Sequence, residues 1–189
     1  MELIFDFFED HFKAAVVVKT RRPLALGVLC FISGALSFFV ALGVSGRLAP
    51  LSFSGITFAL FLLWELGSGL ALVALLHLIA DFEGRPGSGA ELFVLFGMAD
   101  LIWALAVPAA LIFMAFGPRA HWPLNAAFLL LGFYNLCLKA RSLKDTYQLS
   151  LGRAWVTLVL PYVATVMVSG LVFALVMASL VMQVMKGFD

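Results

Sequence analysis

The chain has 189 residues, of which 63% are hydrophobic and only 12% charged. A soluble domain carries about 25% charged residues, so there are too few polar side chains to cover a water-facing surface. Disorder, which needs low hydrophobicity and high charge, is excluded as well. The net charge of +1 comes without a basic run and gives no reason to expect nucleic acid as a partner. What remains is a polytopic membrane protein, each span taking about 20 apolar residues.

Residues 2–19 read as one amphipathic helix. Glu2, Asp6, Glu9, Asp10 and Lys13 fall on one face, and Phe5, Phe8, Phe12 and Ala15 on the other. Such a helix lies in the membrane interface with its aromatic face towards the acyl chains, or packs on the transmembrane bundle. The acidic start lacks the basic head of a cleaved leader, and the first apolar run begins only at Leu24, so no removable targeting segment is expected. Lys19, Arg21, Arg22 and Pro23 end this first unit, residues 1–22.

Residues 23–189 then divide into five spans. The first is Leu24–Val44, followed by a loop with Gly46, Pro50, Ser52 and Ser54. The second runs over about Gly55–Ala80 and ends in a Gly-rich turn, residues 81–89. The third covers about Glu91–Phe116, with Pro108 expected to kink it. A turn over Gly117, Pro118, Arg119, Ala120, His121 and Trp122 leads to the fourth, about Pro123–Leu138. Lys139–Arg153 reads as the longest polar connection. The last apolar run, Ala154–Met185, is too long for one untilted span, and Pro161 is expected to mark where an interfacial turn becomes the fifth. The expected fold is all-α, five transmembrane helices plus the N-terminal amphipathic helix. Small residues recur every four positions at Ser33, Ser37 and Ala41, and at Gly170, Ala174 and Ala178. Such rows let helix backbones approach closely.

With five spans, the N-terminal segment and the second and fourth loops share one side. That side holds nine of the twelve basic residues. By the positive-inside rule it is cytoplasmic, and the C-terminus at Asp189 is external. Cys30 and Cys137 then sit in the cytoplasmic half, where thiols stay reduced.

Two carboxylates lie inside the expected spans. Glu65 is about 15 Å along its helix and Asp100 about 14 Å along its own, which runs the opposite way. Both therefore fall near mid-membrane, and no Lys or Arg lies within an expected span to neutralise them. Unpaired carboxyls there are costly and mark a proton or cation site in the bundle. The bland alternative is a carboxyl hydrogen-bonded to a helix backbone or to Ser68, Thr165 or Asn135; a third is that the span begins only at Leu101, which puts Asp100 at the headgroups. The spacing His77, Asp81, Glu83 could present metal-ligating atoms, but it matches no zinc signature and reads better as a solvated turn. No nucleophile, phosphate loop, metal or cofactor motif stands out, so no enzyme activity and no cofactor are expected.

Two stretches carry a family likeness. One runs from Phe82-Glu83-Gly84-Arg85-Pro86-Gly87-Ser88-Gly89 to Pro108. The other is the polar turn ending Gln148-Leu149-Ser150-Leu151-Gly152-Arg153-Ala154, followed by Pro161. Together they resemble the Yip domain family, the Ypt/Rab-interacting five-span membrane proteins and their prokaryotic relatives, with Gln148 where Gly is usual. The resemblance implies a cytoplasmic motif built on Gly84, Gly87, Ser150, Gly152 and Arg153. It also implies a role in membrane trafficking or homeostasis, organising membrane or acting as an interaction subunit. Eukaryotic members carry a long cytosolic N-terminal region that residues 1–22 do not supply, so small-GTPase binding is not expected. A prokaryotic relative in a bacterial inner membrane is expected instead, with the bilayer, a membrane-protein partner or a second copy as partners. The alternative is a small transporter or lipid-handling protein using the Glu65–Asp100 pair.

Overall fold

The computed structural model describes residues 2–48, 53–117 and 121–186. The loop residues Pro50 and Ser52, the turn residues Pro118, Arg119 and Ala120, and Asp189 lie outside that set. The helices, in chain order, are α1 (Glu2–Glu9), α2 (His11–Arg21), α3 (Leu24–Val44), α4 (Gly55–Phe82), α5 (Gly89–Asp100), α6 (Ala106–Met114), α7 (His121–Tyr147) and α8 (Leu151–Lys186). A 3-10 segment, Leu101–Leu105, joins α5 to α6. Five stretches are long and apolar enough to cross a bilayer: α3, α4, the α5–α6 pair, α7 and Leu151–Leu180 of α8. The chain is an all-α integral membrane protein.

The N-terminal unit is two helices rather than one. Asp10 leaves the helical conformation (ψ 83°), and its side chain accepts the Lys13 amide at 3.2 Å, capping α2. The break changes which residues face the bundle. Phe7, Ala14, Ala15 and Val18 are buried with Leu95, Met98 and Leu138, whereas Phe5, Phe8 and Phe12 point outwards. Of the two placements open to this segment, α2 takes the second and packs on α5 and α7. His11 fastens it, with Nδ1 2.8 Å from Asp145 Oδ2 and Nε2 3.1 Å from Ser142 Oγ.

At the centre stands α5, every residue of which from Glu91 to Asp100 is buried. Its closest neighbour is α3, and the contact is made by glycines. A Cβ on Gly27 would lie 2.9 Å from Val94 Cα; one on Gly34 would overlap the Asp100 carbonyl, and one on Gly97 the Gly27 carbonyl. The small-residue row that matters is thus Gly27, Gly34 and Ala41, all buried, and not the Ser33 row, since Ser33 is exposed. With hydrocarbon on the outside, close backbone approach of this kind is a main source of helix association.

Three expectations about the later spans change. The segment from Lys139 to Tyr147 is no loop: α7 continues through it. Ala140, Leu143 and Tyr147 recur on one face and are buried, while Arg141 and Lys144 stay at the surface. Total hydropathy misses such an amphipathic extension, because only one face is apolar. The connection itself is Gln148–Ser150, with Gln148 in the left-handed region at φ 53°. No interfacial turn occurs at Pro161 either; α8 runs unbroken through it. The third span is interrupted before Pro108, at Leu101–Leu105. The ring of Pro108 disfavours a regular turn just N-terminal to it, and the 3-10 segment occupies that turn.

We expect Gly34→Ala to lower stability by about 1–3 kcal/mol, as overpacking of a tight contact does. Gly170→Ala, where an added Cβ meets nothing within 4 Å, should be neutral. Unfolding of the purified protein in detergent, followed by circular dichroism, compares the two.

Candidate functional site in the membrane interior

Asp100 is the last residue of α5, about 17 Å along that helix, and is buried. One of its carboxylate oxygens, Oδ1, accepts twice. Lys139 Nζ lies 2.7 Å away and Asn135 Nδ2 donates at 2.7 Å. The same amide also donates to the Ala99 carbonyl at 3.0 Å, where α5 passes into the 3-10 segment and the regular hydrogen-bond ladder ends. The ammonium of Lys139 sits 5.7 Å from the centre of the Phe96 ring, within cation–π range. The expectation that no basic residue lies within a span is overturned by Lys139, which stands on α7 beside Asp100. The expected fourth span stops at Leu138, the residue before it, whereas α7 runs on to Tyr147. Asn135 and Lys139 are four apart on α7, hence on one face, which is the signal that would have found the pair.

Glu65, on α4, is half-buried. Among the described residues its carboxylate makes no ion pair and accepts no hydrogen bond. It lines, with Asp100, Lys139 and Tyr162, two adjoining cavities. The larger is about 760 Å³, between α4 and α8, with Trp64, Ser68 and Thr165 on its walls. The smaller, about 260 Å³, runs inward past Phe38, Trp103 and Asn135. The two carboxyls therefore stand in one polar neighbourhood, as their helix positions implied, but in different states of pairing. Ser68 and Thr165 do not bond either carboxyl; Ser68 Oγ donates to the Glu65 carbonyl at 3.2 Å and Thr165 Oγ1 to the Pro161 carbonyl at 2.8 Å. The Thr165 bond lies one turn past the proline, which removes an N–H from the ladder.

The residues of the two polar turns meet at one end of the bundle. Gly84 (φ 67°) reverses the chain after α4, with the Arg85 amide bonded back to the Ala80 carbonyl at 3.0 Å. Gly87 presses on the ring of the fully buried Tyr147, where a Cβ would overlap the ring. Tyr147 Oη is 2.8 Å from His77 Nδ1, so His77 is engaged there rather than with Asp81 and Glu83. Ser150 caps α8 by accepting the Arg153 amide at 3.4 Å, and the Arg153 guanidinium reaches Glu83 at 3.2 Å. Gly152 has open space around it. The turn and cap chemistry of these residues ties the second and fourth loops together. Among the described residues no three His, Cys, Asp or Glu side chains are placed to hold a metal ion. Cys30 and Cys137 are both free thiols.

Removing Lys139 leaves a buried carboxylate without its partner, and breaking such a pair costs about 3–5 kcal/mol. We expect Lys139→Met to lose that much stability, and Asp100→Asn with Lys139→Met to recover most of it. Thermal unfolding of the two singles and the double measures the coupling; additive losses would mean that the two groups act independently. No family model, curated protein or solved structure matches this chain.

Proposed function

We propose that the chain is a non-enzymatic membrane protein of Yip type, from a bacterial inner membrane, that acts as an interaction subunit. One observation supports this reading above the others. From Tyr162 to Leu180 every residue of α8 is exposed, so among the described residues this half of the fifth span has no buried packing face. The small residues Gly170, Ala174 and Ala178 lie along that unpacked stretch, where another transmembrane helix, from a second copy or from a different protein, can approach closely. The end of the bundle where α2, Arg85, Lys144 and Arg153 gather is taken as cytoplasmic, in keeping with the positive-inside rule. There the exposed Phe5, Phe8 and Phe12 suit contact with the lipid interface. A small-GTPase partner is not part of this proposal.

A second reading, a small transporter or lipid-handling protein, has its own support in the cavity between α4 and α8.

A photo-crosslinking residue at Ala174 in native membranes is expected to yield a protein adduct, with a second copy or with another membrane protein. The same probe at the lipid-facing Leu129 (74% exposed) should give none. Lipid adducts alone at both positions would overturn the interaction reading.

A further inference from the structure

The charge balance around the α4–α8 cavity is uneven. Asp100 is neutralised by Lys139 and held by Asn135. Glu65 is left over, so the cavity walls carry one carboxyl in excess. The groups facing Glu65 are Asp100 from α5, Lys139 from α7 and Tyr162 from α8, while α3 contributes only Phe31 and other uncharged residues. The hydroxyls of Ser68 and Thr165 donate their protons to carbonyls of their own helices, so towards the cavity they offer oxygen lone pairs. Apart from the Tyr162 hydroxyl and the Trp64 indole N–H, which are neutral, the polar features of the walls not already engaged accept or are negative.

We propose that this cavity binds a lipophilic monovalent organic cation, with its charged centre at Glu65 and its apolar body against Phe31, Trp64, Leu72 and Tyr162. The size fits: small-molecule sites run to about 300–1,000 Å³, and this one is about 760 Å³. A bare metal ion does not fit the walls, since calcium takes about 6–8 oxygen ligands and the walls are mostly apolar. Aromatic faces add cation–π attraction for an organic cation once it leaves water. A phospholipid headgroup is disfavoured, because its phosphate would lie beside Glu65 and the nearby cation, Lys139, is already paired with Asp100. The route is lateral. Leu63 and Trp64 line the cavity and are 68% and 73% exposed on the lipid-facing side of α4, so a cation dissolved in the bilayer reaches Glu65 without crossing the bundle. The site concerns binding alone, and holds whether or not the chain is an interaction subunit and whether or not it moves the ligand.

The test is equilibrium binding of radiolabelled tetraphenylphosphonium to the full chain in maltoside detergent at pH 8. Wild type is expected to bind one cation per chain, saturably. Glu65→Gln should weaken binding at least about tenfold, as loss of one partner of a desolvated charge pair does. Glu65→Asp should restore most of it, and Leu129→Ala should leave it unchanged. Gel filtration and thermal unfolding verify that each variant is folded. Absence of saturable binding by wild type, or equal binding by a folded Glu65→Gln, would overturn the proposal. If Glu65→Gln fails to fold, Ser68→Trp, which fills the cavity one turn away on the same helix face, must abolish binding; retained binding would overturn it.

Discussion

A carboxylate in hydrocarbon must be paired or must give up its charge, and the pairing of Asp100 organises much of this bundle. Its partners Lys139 and Asn135 both come from α7, so the ion pair fixes the depth of the third span against the fourth. The pair is not free stability, because taking two charges out of water costs several kcal/mol each before their attraction offsets it. What it supplies is register. Asn135 adds to this by donating to the Ala99 carbonyl at the buried junction of α5 with the 3-10 segment, where the regular helical ladder ends. On the other side of the same residue, Gly34 brings the α3 backbone against the Asp100 carbonyl. One position thus sets the placement of α3, α5 and α7 together.

The number and approximate limits of the spans were legible in hydropathy alone, because each apolar run stands between polar turns. The first span agrees in both limits, Leu24–Val44. Legibility fails where a helix is apolar on one face only. Lys139 to Tyr147 reads as polar when summed, although Ala140, Leu143 and Tyr147 keep helical spacing. That single misreading concealed the cation beside Asp100. The N-terminal segment fails for a related reason. Phe5, Phe8 and Phe12 stay exposed, but Asp10 breaks the helix and Ala15, expected on their face, turns inward. Of the candidate site, the common depth of Glu65 and Asp100 could be argued from helix rise. Their unequal pairing could not, since it depends on which side chain of α7 turns inward.

The polar end of the molecule is held by contacts that are individually small. Glu83 to Arg153, His77 to Tyr147 and His11 to Asp145 each join segments far apart in sequence. Each bridges loops or helix ends rather than helix middles. Three residues there use the left-handed region, Arg22 at the end of α2 among them. Gly84 adopts it without penalty, whereas Gln148 does so with a side chain at φ 53°, a conformation that disfavours residues with a Cβ. That strain lies at the start of α8, between Tyr147 and the Ser150 cap.

The anchoring of α8 has a mechanical consequence. Only its first three turns, through Ala154, Thr157, Leu158 and Pro161, are seated in the bundle. That seat is about 15 Å long and the unsupported remainder well over twice that. Among the described residues the helix is therefore a cantilever, clamped at the polar end and with no buried residue from Tyr162 to Leu180. A tilt at the clamp is carried outward in proportion to distance, so a displacement of a fraction of an ångström at Leu158 becomes a displacement of ångströms at the far end. Tyr162 and Thr165, which form the α8 wall of the cavity, sit just beyond the fulcrum. For the same tilt, the cavity wall beside Glu65 therefore moves far less than the end of the arm.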